Sequence, residues 1–349
     1  MIKKILRQLS CKMTVFILLC SVGLVVPSIS FAENLVQRQD VREFIDEMVA
    51  KHDFNRIELT NLLAQGEIKT KIIDAMNRPA EAMPWYKYRK IFLKPGRVKA
   101  GVAFWNENKD ALERAQSKYG VPPEYIVAII GVESRYGVYK GTFRVLDSLM
   151  TLAFDYPKRG KFFRSELEHY LLMTQEEGVD PLSLKGSYAG AMGKPQFISS
   201  SYRNFAVDFD GDGKRDLLDN TADAIGSVAN YFSKHHWVPG QPVVGRAKIK
   251  GKKYKALLDK GIKPKTSVKK FAQYGVTITD DIPGELSGAL IELELKSGHE
   301  YWVGLQNFYV ITRYNHSPLY AMATYQLSQE ILALHSSSLA SNKTASSGR

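Results

Sequence analysis

The chain has 349 residues, 44% of them hydrophobic and 24% charged, with a mean hydropathy of -0.23. That profile excludes disorder and a multi-span membrane protein, and the length allows two or three domains. A net charge of +12 points to an anionic partner: nucleic acid, an acidic membrane face or a polyanionic wall polymer.

Lys3, Lys4, Arg7 and Lys12 precede a largely apolar run from Met13 to Val26. The run is short for a bilayer span but suits the apolar stretch of a signal sequence. Pro27 breaks it, and Ser30-Phe31-Ala32 offers small residues to a signal peptidase, so residues 1–32 are expected to be a signal peptide. Cleavage after Ala32 would remove both cysteines, Cys11 and Cys20, and lower the charge by four. Export separates the chain from nucleic acid, which is not expected as a partner. Lipidation of Cys20 is the alternative, and only then is membrane attachment expected; Leu19 stands where lipoprotein processing favours a small residue.

Residues 33–110 are expected to form an N-terminal helical domain. Asp40 and Glu43 have capping-box spacing, and Val41, Phe44, Ile45, Met48 and Val49 repeat at helical intervals. Shorter helices follow around Ile57–Leu63 and Ile72–Met76, punctuated by Pro79 and Pro84. Val98, Val102 and Trp105 begin a longer helix that Gly120 ends.

Residues 111–240 are expected to be the catalytic core. A helix opening at Pro122-Pro123 is apolar nearly all round through Ile126-Val127-Ala128-Ile129-Ile130 and so belongs in a core. It ends in Gly131-Val132-Glu133-Ser134-Arg135-Tyr136-Gly137. A carboxylate at the C-terminal end of a buried helix meets both desolvation and the negative end of the helix dipole, and both raise its pKa. Such a group suits a general acid. The alternative is a structural salt bridge of Glu133 with Arg135 or another arginine.

Ser187 to Phe197 combines small residues, Gln196 and two rings. Small residues make a groove floor, an amide can bond an acetamido or hydroxyl group, and rings stack on sugar faces; a tight helix-packing turn is the other reading. Asp208 to Asp219 fits a twelve-residue EF-hand-type loop. Asp208, Asp210, Asp212, Asp216 and Asp219 occupy positions one, three, five, nine and twelve, Lys214 offers its carbonyl at seven, and Gly211 stands at six. Structural Ca2+ is expected there, with Asp219 shorter than the usual glutamate; an acidic turn without metal is the alternative. His235 and His236 are adjacent and are expected at the surface.

Residues 241–304 are expected to be a small, basic, β-containing insertion. Eleven Lys/Arg face the single acid Asp259 between Gln241 and Gly275, as a grip on an anionic wall or a solvated face. Ala289–Leu295 and Glu300–Gly304 flank a strand-turn-strand signal. Residues 305–334 return to helical sequence as the C-terminal part of the core, with Tyr314, Asn315 and Tyr320 in one segment, and 335–349 are expected to be a disordered tail.

Together, Glu133-Ser134, the Gly190-Ala191-Met192-Gly193 and Gln196-Phe197 stretch, and the Arg313-Tyr314-Asn315 to Tyr320-Ala321-Met322 stretch resemble the lytic murein transglycosylase B family, whose members include membrane-bound and soluble forms. The resemblance runs from the first helix to about Leu334, and this chain departs from it at Lys194-Pro195. It implies an α+β, mainly α fold: a lysozyme-like core, an N-terminal helical domain and a small inserted β-domain. It implies Glu133 as the single catalytic acid/base, and sugar contacts from Ser187, Tyr188, Gln196, Phe197, Tyr231, Tyr314, Asn315, Tyr320 and Arg159. It also implies a calcium loop at 208–219 and no cofactor for catalysis.

The expected activity is a periplasmic lytic transglycosylase that cleaves the MurNAc-GlcNAc bond of peptidoglycan and forms 1,6-anhydroMurNAc; an outer-membrane lipoprotein is the alternative location. A hydrolytic muramidase would need a second carboxylate, for which Asp147 and Asp155 stand available. A non-catalytic, calcium-stabilised wall-binding protein is the reading from another class.

Overall fold

The computed structural model describes residues 35–78 and 83–347. The signal peptide expected at 1–32, with Cys11 and Cys20, lies outside the described residues, as does Pro79.

Among the described residues, six α-helices lie before the helix of the proposed acid: α1 (Gln39–His52), α2 (Arg56–Leu63), α3 (Thr70–Met76), α4 (Trp85–Phe92), α5 (Pro95–Glu107) and α6 (Lys109–Tyr119). The expected capping box is not made. Arg38 is the N-cap of α1, and Asp40 instead pairs with the Arg38 guanidinium at 2.8 Å, which also grips Asp155 at 2.6 Å. The long helix read from Val98 is two helices with a break at Asn108, and Gly120 ends the second with φ +71°.

Helix α7 (Pro123–Ser134) is buried along Tyr125–Gly131, as a helix apolar all round must be. Strand β1 (Phe143–Arg144) and helices α8 (Val145–Asp155) and α9 (Gly160–Glu176) follow. Next come β2 (Lys185–Gly186), paired with β1, then α10 (Ser199–Phe205) and α11 (Thr221–Lys234).

Strands β3 (Val244–Ile249), β4 (Thr266–Ser267), β5 (Val276–Ile278), β6 (Ser287–Glu294) and β7 (His299–Gly304) form one antiparallel sheet in the order β4-β6-β7-β3-β5, with the short helix α12 (Lys255–Leu258) beside it. The period of two along β6 and β7 divides their side chains between two cores. Ile291, Leu293 and Trp302 join the large helical core, whereas Leu290 and Val303 join a small one with Leu257, Phe271 and Val276. The indole of Trp85 on α4 donates to Glu300 on β7 at 2.7 Å and ties the sheet to the helices.

Helices α13 (Gln306–Tyr314) and α14 (Pro318–Ser347) close the chain, and α14 packs on α5 and α7. The disordered tail expected from residue 335 is corrected: α14 continues to Ser347. The His335 ring stacks on Trp105 at 4.3 Å and bonds Asn106, which holds the helix past the expected end.

Candidate active site and acidic loop

Glu133 is the penultimate residue of α7 and is half-buried. The helix stops because Arg135 and Tyr136 both take left-handed backbone, at φ +51° and +61°. For residues with a Cβ this is a strained conformation of the kind that gathers at functional sites. Ser134 holds the turn: its hydroxyl donates to the Ile130 carbonyl and accepts from the Gly137 N–H at 2.9 Å.

A partner of Glu133 comes from α14. Tyr320 donates its phenolic hydrogen to Glu133 Oε1 at 2.5 Å, and Tyr320 is itself buried. The Tyr314 ring lies parallel to that of Tyr320, 6.4 Å away with 8° between planes. Burial first, and then the nearby Glu133 carboxylate, push both phenols well above the ordinary tyrosine range. Both remain donors at neutral pH.

Tyr314 carries the arrangement to a cleft of about 600 Å³, whose lining includes Arg159, Gln196, Phe197, Tyr231, Tyr314 and Asn315. Six of the expected sugar-binding residues therefore meet in one place. Several of them also make hydrogen bonds and ring contacts within the protein. Phe197, Tyr231 and Tyr314 form a mutually packed triangle, with ring centroids 4.9 to 5.8 Å apart. The Tyr231 phenol donates to the Arg313 carbonyl at 2.6 Å, and that of Tyr314 to the Pro195 carbonyl. These rings are a wall more than a set of polar contacts. Gln196, at φ +51°, uses its NH2 group on the carbonyls of Lys140 and Gly193.

Ser187 and Tyr188 do not line this cleft. The Ser187 hydroxyl accepts from the N–H groups of Ala189 and Ala191, closing the turn before the groove, and Tyr188 is exposed. Arg159 stacks its guanidinium over Phe162 at 4.3 Å. The expectation that His235 is a surface residue is corrected. It lines the cleft, stacked on Tyr231 at 4.0 Å, and burial lowers its pKa. Phe162, Arg313 and His316 also line the cleft and were not among the expected contacts; Arg313 stood in the family-like 313–315 stretch, and His316 was signalled only by adjacency to Asn315.

The acids proposed for a hydrolytic route are engaged elsewhere. Asp147 is buried, with Arg144 at 2.5 Å and Lys69 at 3.4 Å, and accepts the Glu67 N–H. Asp155 holds Arg38.

In the acidic loop, carboxylate oxygens of Asp208, Asp210 and Asp212 lie within 4.8 Å of one another, a donor set that fits a hard cation. The other expected ligands are less gathered. Asp216 accepts from the N–H groups of Leu218 and Asp219, and the Lys214 N–H donates to Asp212. Asp219 does not join the three acids: its carboxylate is exposed and pairs with Lys140 at 2.7 Å. Two residues just past the loop were missed. Asn220 donates to Asp210, and the buried Asp223 accepts from Phe209 and Asp216, bracing both arms.

Lys194, where the chain departs from the resembled pattern, joins the loop to the groove. Its ammonium donates to the carbonyls of Leu218 and Asp219 at 3.1 and 2.6 Å, and its N–H to Leu217. Gly193 makes this approach possible: at φ +73°, a Cβ there would lie 2.3 Å from the Leu217 carbonyl oxygen.

Comparison with known proteins shows the family to which the chain belongs. Residues 36–329 match the family described as "Transglycosylase SLT domain". The chain is 46% identical over 311 residues to the membrane-bound lytic murein transglycosylase B of Escherichia coli (strain K12), covering 86% of this chain and 84% of that protein. It is similar to the catenated lytic transglycosylase SltB1 of Pseudomonas aeruginosa, with a TM-score of 0.81, 47% identity and coverage of 85% of this chain and 98% of that one. The Escherichia coli lytic transglycosylase Slt35 in complex with calcium matches with a TM-score of 0.78 and 45% identity, over 88% of this chain and 95% of that one.

Proposed function

This chain belongs to the transglycosylase SLT family, and from that premise we propose that it cleaves the MurNAc-GlcNAc bond of peptidoglycan in the periplasm with formation of 1,6-anhydroMurNAc. The α+β, mainly α fold with its lysozyme-like core is the one its structural relatives carry. No helix among the described residues is long and apolar enough to cross a membrane.

The observation that carries the reading is the hydrogen bond from buried Tyr320 to Glu133, beside an aromatic cleft. Glu133, as the acid, protonates the glycosidic oxygen as the bond to the muramyl anomeric carbon breaks. Its carboxylate then removes the proton of the muramyl C6 hydroxyl, whose oxygen bonds to that carbon. Glu133 ends protonated as it began, and no water is consumed. Tyr320 fixes the rotamer of the carboxyl group and stabilises its anionic stage. The commitment of Asp147 and Asp155 to ion pairs supports this route over hydrolysis.

The three clustered aspartates support a structural Ca2+ at the loop, which would neutralise their mutual repulsion; catalysis draws on no cofactor. Mass spectrometry of the products from purified sacculi tests the function. Anhydromuramyl ends that disappear with Glu133→Gln are expected, whereas reducing ends one water heavier would establish a muramidase. Unchanged lysis by Glu133→Gln would leave only a wall-binding protein.

A further inference from the structure

Lys250 donates its N–H to the Gly275 carbonyl at 2.8 Å, so residues 250–275 form a closed excursion between β3 and β5 at one edge of the sheet. Midway, Thr266–Ser267 pair with β6 as β4, the opposite edge strand. The excursion therefore crosses the whole sheet, four strand spacings or about 19 Å, and returns. It runs over the face that carries the small core, where Leu257, Val268 and Phe271 are buried with Leu290 and Val303. Ile291, Leu293 and Trp302 turn the other face of the sheet to the helices. The apolar residues of the excursion fill the small core, and its cations are left outside. Nine lysines stand between residues 250 and 270 against the single acid Asp259, with no arginine. All nine are exposed, and the ion pairs among the described residues all lie elsewhere. The large apolar side chains left exposed among the described residues also lie outside 241–304.

We propose that this lysine layer is a docking surface for an anionic lipid membrane, held by charge without insertion and needing no lipid on Cys20. The inference rests on the proposed periplasmic location, where the chain faces lipid leaflets, and not on the cleavage chemistry. A wall polymer presents scattered carboxylates, which the forked guanidinium of arginine grips best, and the layer has no arginine. Ammonium groups act as point charges. Spread across the width of a sheet, they match a continuous plane of phosphate headgroups. Unpaired lysines in one layer repel one another in water, and an anionic leaflet relieves that repulsion. With no exposed ring or large aliphatic group to bury in the bilayer, attachment depends on charge and is reversible.

The test is co-sedimentation with lipid vesicles of residues 33–349, which lack only the expected signal peptide and keep every described residue. One set of vesicles is phosphatidylcholine alone, and the other is about three parts phosphatidylcholine to one of phosphatidylglycerol. The chain is expected to bind the phosphatidylglycerol vesicles and not the neutral ones, and to be released as salt rises from about 0.05 to about 0.5 M. Each lysine beside an anionic leaflet is worth about fivefold in partitioning. Lys252→Gln, Lys253→Gln, Lys263→Gln and Lys265→Gln together should therefore weaken binding by about a hundredfold or more, whereas the same four changes to arginine should preserve it. The Lys252→Gln and Lys253→Gln pair, with a loss of about twentyfold, serves should the fourfold variant unsettle the fold. Equal binding to both vesicle types, binding to neither, or undiminished binding by a glutamine variant of unchanged melting temperature overturns the proposal. Loss of sacculus affinity in that variant, with lipid ignored by the unaltered chain, would assign the layer to the wall and overturn it as well. Sacculus digestion is scored separately and should hold in the fourfold variant, so failure of the enzymatic reading and failure of the docking surface are distinct results.

Discussion

Tyr320 Oη lies 2.5 Å from Glu133 Oε1, joining two residues 187 positions apart in the chain. A buried phenol in this place orients the carboxyl group and stabilises its anion, so Tyr320→Phe removes the bond while keeping the ring and its stack on Tyr314. We expect kcat on sacculi to fall about tenfold, the worth of a hydrogen bond to a charged group. KM and melting temperature should change little. An unaltered kcat would show that the bond plays no part in the reaction.

On the proposed reading, a Ca2+ held by the 208–219 loop would support the fold near the groove without entering the chemistry. Chelation from a calcium concentration about a hundredfold above Kd should remove about 2.7 kcal/mol of stability, or roughly 5 °C in melting temperature. Turnover measured well below unfolding should persist. Asp208→Asn should abolish the calcium response, whereas Asp219→Asn should largely retain it, because Asp219 is directed to Lys140. Complete loss of turnover with folding and affinity intact would make the ion catalytic.

His235 makes stability depend on pH. Burial is the main cause of its lowered pKa, so between that value and the ordinary imidazole pKa of about 6.5 the unfolded chain binds the extra proton. The contribution is fully present above pH about 6.5 and is lost as pH falls through the depressed value. Melting temperature should therefore drop between pH 7 and 5. His235→Phe, which keeps a ring on Tyr231, should reduce that drop by roughly 1 °C. An identical slope in the variant would remove His235 from the account.

Asp147 separates the two cleavage routes. Its carboxylate is buried between Arg144 and Lys69, so Asp147→Asn leaves those cations without their partner and should cost about 3 kcal/mol in denaturant unfolding. Turnover per folded molecule should hold. A large loss of turnover without loss of stability would revive Asp147 as a hydrolytic carboxylate.

What the sequence made legible was local or rested on resemblance. The all-round apolar pattern of 125–131 marks α7 as buried, with Glu133 at its end, and the β6-β7 hairpin follows from strand periodicity. Contacts made by the folded chain were hidden. Nothing near Asp40 shows that Arg38 would claim it, and nothing in the EF-hand spacing shows Lys140 drawing Asp219 aside. The rings at 197, 231 and 314 were legible as aromatic, but their packing against one another depends on three separate segments meeting. His235 looked external because its stacking partner lies on its own helix at i-4, while the wall behind Tyr231 arrives from α13 and the 193–197 turn.

The two bonds from Lys194 to the carbonyls of Leu218 and Asp219 bear on any attempt to exchange parts between relatives. An ammonium already sits where the acidic loop ends, a resident cation on its backbone carbonyls that would stay whether or not the loop held a divalent ion. The groove turn is thereby moored by a covalent part of the chain, and a calcium-poor environment would loosen the loop's tip before its root. A graft of the 208–219 loop alone would sever that mooring. Segments 193–197 and 208–219 should therefore be transplanted together, as one module with two chain entries.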